Sequence, residues 1–357
     1  MKMGYKNICL FDRHAVGGEY GAGYKMVGPG KVSLTFDDAA TNTTIKIDER
    51  VLKDKISAVV VYDNPYDNVH QMAHHFFSRC LEAKVTPYVT TKKTVFKWQE
   101  TFWNIMKKVF DENYKAKFNA AGLLKKTNGE LSHFLSDVAT MHVVRWSDGG
   151  WGMCSHNYDG DVLTDEIAQV HRSPGFLTSV LNGVNEDGSI IKEFEASHGT
   201  VTDMYHSHKR GEETSLNPLS MMEALIGAMK HAVVLNTKNN GGKISANDEK
   251  FDAFCNKLQS AIHAQMTTSG RASRDLSGPS GLTTEQFVQA VRARLDGKSN
   301  PLCEPVKEAA PVKDAYEVDD AKMKELFLQL DTDKNGSIDY KEFVGALKFL
   351  GVAPKKL

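Results

Sequence analysis

The sequence predicts an α/β protein with a β-rich excursion near its start and a small all-α unit at its end. Three observations carry that prediction. Strand-like apolar segments alternate with stretches of helical period over most of the chain. Residues 20–64 interrupt the alternation with short β segments joined by turn residues. From residue 298 the composition changes, and two helical patterns bracket an acidic loop.

In order along the chain, "NICLF" is the first strand, and a Gly-rich turn runs from Gly17 to Gly23. "GPGKVSLTFDD" and "TTIKIDE" are alternating β segments, and "ISAVVVYDNP" is a buried strand that stops at Pro65. Between 67 and 84, Val69, Met72, Ala73, Phe76, Phe77, Cys80 and Leu81 recur on one helical face. "TPYVTT" is again a strand, and "VFKWQETFWNIMKKVFDENY" a long amphipathic helix. "GFLTSVLNGV" and "KEFEASHGT" frame a turn at "NEDGS". "NPLSMMEALIGAMKHAVVL" reads as a buried helix with Pro218 in its first turn. Residues 1–297 form the main region, with the excursion over about 18–66. Pro301, Pro305 and Pro311 mark a linker over 298–317, and residues 318–357 form the tail.

Composition narrows the function classes. A length of 357 residues allows more than one domain, each with its own core. Hydrophobic residues at 41% and charged residues at 25% fit a soluble globular protein. A net charge of −1 without a basic stripe speaks against nucleic acid as a partner. No apolar run reaches the roughly 20 residues that span a bilayer, so no membrane partner is expected. Cys9, Cys80, Cys154, Cys255 and Cys303 are widely spaced and form no CxxC pair. They read as free thiols of a reducing compartment. The start, "MKMGYKNICLFDRHAVGG", has too short an apolar stretch for a signal peptide and enters a strand at once, as if inside a domain.

The tail holds the most specific local signal. "DTDKNGSIDYKE", 331–342, has the ligand spacing of a twelve-residue calcium loop. Asp331, Asp333 and Asn335 offer side-chain oxygens, and Ser337 offers its backbone carbonyl. Asp339 binds directly or through water, and Glu342 with both oxygens. Gly336 permits the sharp turn. Met323, Leu326, Phe327 and Leu330 precede the loop on one helical face, and Phe343, Ala346, Leu347 and Leu350 follow on another. The tail resembles an EF-hand and implies Ca2+. No second loop is visible, so pairing through Ile338 would need another subunit or a degenerate segment.

In the body, "NYDGDVLTDEIAQ" packs Asp159, Asp161 and Asp165 closely. They are solvated loop and cap acids, ligands of a divalent metal, or acid–base groups. If a helix starts here, Asp161 and Asp165 stand four apart on one face. Hard oxygen ligands suit Mg2+ or Mn2+.

Three stretches then line up with one family. "DRHAVGGEYGAGYKMVGPGKV", "NYDGDVLTDEIAQ" and "EASHGTVTDMYHSHKRGEETSLNPLS" resemble the eukaryotic-type, homodimeric isocitrate dehydrogenases, and "YVTTKKTVFKWQETF" is similar too. The likeness runs in order over about residues 5–297. It implies an isocitrate/isopropylmalate dehydrogenase-like fold with partial large domain, small domain and clasp. It also implies a metal held by Asp161, Asp165 and a neighbouring subunit's acid, for which Asp137 is the counterpart. Asp159 is expected to cap or turn the backbone. Arg13 would grip a substrate carboxylate through a two-pronged contact. Tyr20, Lys92 and Asp161 would carry the acid–base work as isocitrate loses a hydride and then CO2, with Lys92 acting across the subunit interface.

The same likeness places the dinucleotide against His198, Gly199, Thr200, Val201 and Thr202, with Asn217 at adenine and Glu195 near the nicotinamide. NADP-using relatives carry cations at the two positions after HGTVT; here they are Asp203 and Met204. Trp146 occupies the place of a further lysine. A carboxylate accepts hydrogen bonds from a free ribose hydroxyl and repels a phosphate, so NAD is expected. The groups His70/His74/His75 and His206/His208 read as surface positions. Subunits of this family begin well upstream, so the chain reads as an N-terminally truncated fragment lacking some substrate-gripping residues. Two functions follow: an NAD-dependent isocitrate dehydrogenase modulated by calcium, in the mitochondrial matrix or otherwise in the cytoplasm, or a non-catalytic, calcium-binding regulatory relative that pairs with complete subunits.

Overall fold

The computed structural model describes residues 4–173, 175, 177–185, 189–199, 201–304, 328–331 and 334–337. Strand β1 (Cys9–Arg13) leads into the β-rich excursion. There β2 (Gly23–Val27) pairs antiparallel with β5 (Ser57–Val61), and β3 (Gly30–Asp38) with β4 (Thr43–Leu52). Alternation of β and α follows, as the sequence pattern requires: α1 (Val69–Glu82), β6 (Thr86–Thr91), α2 (Gln99–Asn113), α3 (Lys115–Ala120), β7 (Ser132–Leu135), α4 (Ser136–Arg145), β8 (Trp151–Ser155) and α5 (Asn157–Val170). The hairpin β9 (Thr178–Val184)–β10 (Ile190–Ala196) comes next. Then come α6 (Thr202–Lys209), α7 (Leu219–Asn239), α8 (Ala246–Thr267), α9 (Arg274–Ser277) and α10 (Thr284–Asp296).

The central sheet is parallel, in the order β1-β8-β6-β7. Strand periodicity splits its side chains between two helical layers. Val89 and Cys154 face a core with Phe76 and Phe77 of α1, Phe102 and Phe110 of α2, and Phe118 of α3. Tyr88, Trp151 and Met153 face the other way, onto Ala139 and Val143 of α4 and Leu163 and Ile167 of α5. Each fully buried phenylalanine contributes about 1.5–3 kcal/mol through removal of apolar surface from water. A third core joins Leu219 and Ile226 of α7 to Ile262 of α8 and Phe287 and Val291 of α10.

Several expectations need correction. The helix expected from Val95 begins at Gln99, because the chain first turns back, with Val95 and Phe96 N–H donating to the Lys92 carbonyl. Helix α7 is not buried all round: Met221, Leu225, Val234 and Leu235 are exposed, and Pro218 precedes the helix as its cap. His74 and His75 are half-buried. His74 bonds the Tyr114 hydroxyl at 3.0 Å, and His75 bonds Asn182 at 3.3 Å. Residues 298–304, at the head of the expected linker, pack on the third core: Leu302 and Cys303 touch it, and Gln265 and Arg294 donate to their carbonyls. All five cysteines are free. Among the described residues no helix is long and apolar enough to cross a membrane.

Candidate active site

In a parallel sheet every carboxyl end lies at one edge, the usual place for a ligand in α/β folds. The register sets Arg13 beside Ser155, Ser155 beside Thr90, and Thr91 beside Leu135. The residues leaving that edge are the ones the sequence singles out. Arg13 ends β1, Lys92 follows β6, Asp137 follows β7, and β8 runs into the helix that carries Asp161 and Asp165.

Helix α5 does start at Asn157, so Asp161 and Asp165 share a face. Arg13 Nη1 donates to the Asp161 carboxylate, and Arg13 Nε donates to Asn157 Oδ1 at 2.9 Å. The guanidinium also lies 4.7 Å from the centre of the Tyr20 ring. Tyr20 sits in a 3-10 turn, Gly18–Gly21. Burial and its hydrogen bond to Asp161 raise its hydroxyl above the ordinary tyrosine range. Burial and the negative charge of Asp161 raise the Asp165 carboxyl, against the pull of Arg13. Four of the expected residues, Arg13, Tyr20, Asp161 and Asp165, therefore stand together. Two carboxylates this close, one already drawing a cation, fit a divalent ion in donor chemistry.

Lys92 and Asp137 form a second group. Lys92 Nζ donates to Asp137 at 2.5 Å, and that hydrogen bond holds the Asp137 carboxyl below its ordinary range. Gln99 accepts from the Lys92 backbone N–H at 2.6 Å, which fixes the corner after β6. Among the described residues no three His, Cys, Asp or Glu side chains come together, so Asp137 does not join Asp161 and Asp165 within one chain. Asp159 makes no cap, contrary to expectation. It lies in the first turn of α5 and accepts from Ser136 Oγ at 2.8 Å, because α4 packs there and offers a donor.

Glu195 is the last residue but one of β10, exposed, and the chain passes through His198 and Gly199 to Val201 at the head of α6. Val201 adopts φ 51°, ψ 43°, the left-handed region. For a β-branched residue that costs about 1–3 kcal/mol, and such strain clusters at ligand-binding turns. His198 Nε2 is buried with no hydrogen-bond partner among the described residues. Asp203 occupies the first turn of α6, exposed, and the basic residues of that helix lie in its last turn. Asn217 is buried; its amide donates to Asp275 and accepts from the Leu219 N–H. Trp146 stacks on His142 at 4.1 Å, within a ring cluster that includes Phe134 and Tyr88. Thr200 lies outside the described residues.

At the tail, Asp331 is buried and accepts from the backbone N–H of Asn335 at 3.0 Å and of Gly336 at 2.8 Å. Gly336 has φ 81°, and Asn335 Oδ1 accepts from the Ser337 N–H. This is how an oxygen-lined loop closes on itself. Asp333, Ile338, Asp339, Glu342 and most of the flanking helices lie outside the described residues.

A family model described as isocitrate/isopropylmalate dehydrogenase matches residues 3–291. The chain belongs to this family. It is 59% identical over 299 residues to the mitochondrial isocitrate dehydrogenase (NAD(+)) of Ostreococcus tauri, a match covering 83% of this chain and 62% of that protein. It is 49% identical over 366 residues to isocitrate dehydrogenase [NAD(+)] 1, mitochondrial, of Phaeodactylum tricornutum, covering 99% of this chain and 66% of that protein. The chain thus spans under two thirds of the length of these relatives. A crystal structure of the Ostreococcus tauri isocitrate dehydrogenase in complex with isocitrate and magnesium(II) superposes with a TM-score of 0.72 at 59% identity, covering 82% of this chain and 71% of that one. A second model, described as EF-hand domain, matches residues 322–351.

Sequence reasoning assigned nothing to Asn157, Gly160 or Ser136, although the first two lie inside the acidic motif. His14 and His156 were also unassigned. Both are buried behind Arg13, where His14 meets Asn68 Oδ1 at 2.8 Å and His156 meets the Tyr66 hydroxyl at 3.5 Å. Burial, with help from His14, pulls His156 from its ordinary 6.5 down to about 4. The unfolded chain therefore binds a proton between pH 6.5 and 4 that the folded chain refuses. Stability is full above that window and falls as pH drops through it, by up to about 3 kcal/mol. Urea unfolding at pH 7.5 and pH 5 is expected to show the loss, and His156→Gln is expected to reduce it.

Proposed function

We propose that this chain carries the substrate, metal and dinucleotide site of an NAD-dependent isocitrate dehydrogenase, which converts isocitrate to 2-oxoglutarate and CO2. The observation that carries the reading is the Arg13–Asp161–Tyr20 cluster with Asp165 at the carboxyl edge of the sheet. The two similar relatives named for NAD(+) and the neighbour named for isocitrate and magnesium(II) support it.

Asp161 and Asp165 would hold Mg2+ or Mn2+, whose charge polarises substrate hydroxyl and carbonyl oxygens. Arg13 would offer its terminal nitrogens, one of which holds Asp161 here, to a substrate carboxylate, because they match that group. Asp161, Tyr20 and Lys92 exchange the protons that oxidation and reprotonation at carbon require. NAD would take the hydride, held against the strained turn at Val201 with Glu195, His198, Gly199, Thr200, Thr202 and Asn217 around it. Two copies would share each site, with Lys92 and Asp137 reaching the neighbour. The tail would bind Ca2+ through Asp331, Asp333, Asn335, Ser337, Asp339 and Glu342 and modulate the enzyme. Both relatives are named mitochondrial, which supports a place for the enzyme in the matrix.

The test is reduction of NAD and of NADP by the purified chain with isocitrate and Mn2+, repeated with EDTA, and with Ca2+ or EGTA. NAD is expected to be preferred, and EDTA to stop turnover. Turnover that survives chelation, or no turnover at all, overturns the reading. Asp203→Lys is expected to shift the preference toward NADP by about 10- to 100-fold, the worth of one hydrogen bond to a charged group. An unchanged ratio of the two kcat/KM values removes Asp203 from cofactor selection.

A further inference from the structure

We propose that Asn157 is the positioning residue of this site: its single amide fixes both the direction of the Arg13 guanidinium and the turn that presents Tyr20. The inference rests on the roles given above to Arg13 and Tyr20, and it deepens them.

Asn157 is 3% exposed, and both ends of its amide are engaged. Oδ1 accepts from Arg13 Nε at 2.9 Å, and Nδ2 donates to the Gly17 carbonyl at 2.7 Å. The orientation is fixed by the partners, since a guanidinium N–H only donates and a carbonyl only accepts. With Nε tied to a neutral oxygen, the pair of terminal nitrogens is the fork left to face a carboxylate. Nη1 already uses it, on Asp161.

The other end of the amide sets the turn. Gly17 has φ 68°, and a Cβ there would lie 2.7 Å from the Asp63 carbonyl and 2.5 Å from Pro65. Gly18 N–H donates to the same carbonyl at 2.8 Å. The backbone just before Tyr20 is thus clamped between the end of the excursion and Asn157. Gly160 completes the fit. A Cβ on it would come within 2.9 Å of Arg13 Cγ, so the arginine stem lies flat on α5 only because nothing is there.

Asparagine alone meets these demands at this length. Aspartate keeps an acceptor for Arg13 but faces the Gly17 carbonyl with a second acceptor and adds a carboxylate beside Asp161. Glutamine is a methylene too long for a buried site. Alanine leaves a guanidinium N–H and a carbonyl without partners.

The experiment compares the full chain with N157A and N157D. In steady-state kinetics with Mn2+ and NAD, N157A is expected to raise KM for isocitrate by about 10- to 100-fold, the cost of misplacing a group by an ångström. KM for NAD is expected to stay near the parent's. N157D, which keeps the acceptor, is expected to recover part of that KM. A merely structural role would lower the melting temperature and the active fraction and leave KM for isocitrate unchanged, and that result overturns the proposal. A second readout needs no activity. The Arg13 Nε–H signal in 15N NMR, assigned by its loss in Arg13→Lys, is expected to be protected from solvent exchange in the parent and exposed in N157A. Equal exchange in both overturns the positioning role even if the parent does not turn over. Protection in an inactive parent refutes the dehydrogenase reading and leaves the positioning intact.

Discussion

Asp161→Asn is expected to lower isocitrate turnover by about 10²–10⁴-fold, the usual loss when a positioned acid–base group is removed. The substitution changes almost nothing in shape. It removes one negative charge from a place where three groups respond to it. Arg13 loses its ion-pair partner. Asp165, raised in part by the charge of Asp161, ionises more readily. Tyr20, raised in part by its bond to the same carboxylate, moves back toward the ordinary phenol value. Mn2+ binding, followed by calorimetry, is expected to weaken by at least about tenfold, because a neutral amide is a poor ligand for a hard cation. Stability should barely change, since a partly exposed ion pair is worth about 0–1 kcal/mol. Turnover within a few-fold of the parent, with Mn2+ binding intact, would exclude Asp161 from the chemistry.

The sequence marks the positions where chemistry can occur more readily than the contacts that aim it. Alternating β and α segments implied a parallel sheet, and Arg13, Lys92, Asp137 and Asp161 sit where such a sheet gathers its strand ends. Spacing placed Asp161 and Asp165 on one helical face, and the helix is there. Those inferences use local periodicity, which a sequence displays directly. Asn157 was not legible, because its two partners lie 144 and 140 residues away and only the sheet register brings them together. Asp159 was misread for the same reason: an acid in a first helical turn is commonly a cap, and only the packing of α4 supplies Ser136 instead. Helix α7 shows the limit of hydrophobicity as a guide. Its apolar residues run all round, yet only part of that surface meets α8, α10 and the β9–β10 hairpin.

Mixing two inactive variants is expected to restore activity if the site is shared. Within one chain, Lys92 and Asp137 contact each other, and among the described residues Asp137 does not gather with Asp161 and Asp165. Met141 and Val144 follow Asp137 at four and seven residues, so they lie on its face of α4, and they are 60% and 66% exposed. Tyr158 and Val162 of the adjacent α5 are exposed as well. Water is a poor environment for that apolar strip beside an ion pair, and a second copy laid over it would be driven by burial of the same residues. In a symmetric pair, the patch that covers is the patch that is covered, so each Lys92 and Asp137 would approach the other copy's Asp161 and Asp165. A dimer of one Asp161→Asn chain and one Lys92→Met chain then contains one site with both defects and one with neither. Random exchange of equal amounts makes half the dimers mixed, so about a quarter of the parent activity should return. Separately tagged chains, purified in sequence over both tags, isolate the mixed dimer, which should then show about half. A mixed dimer as inactive as its parents would place Lys92 and Asp161 in the same chain's site.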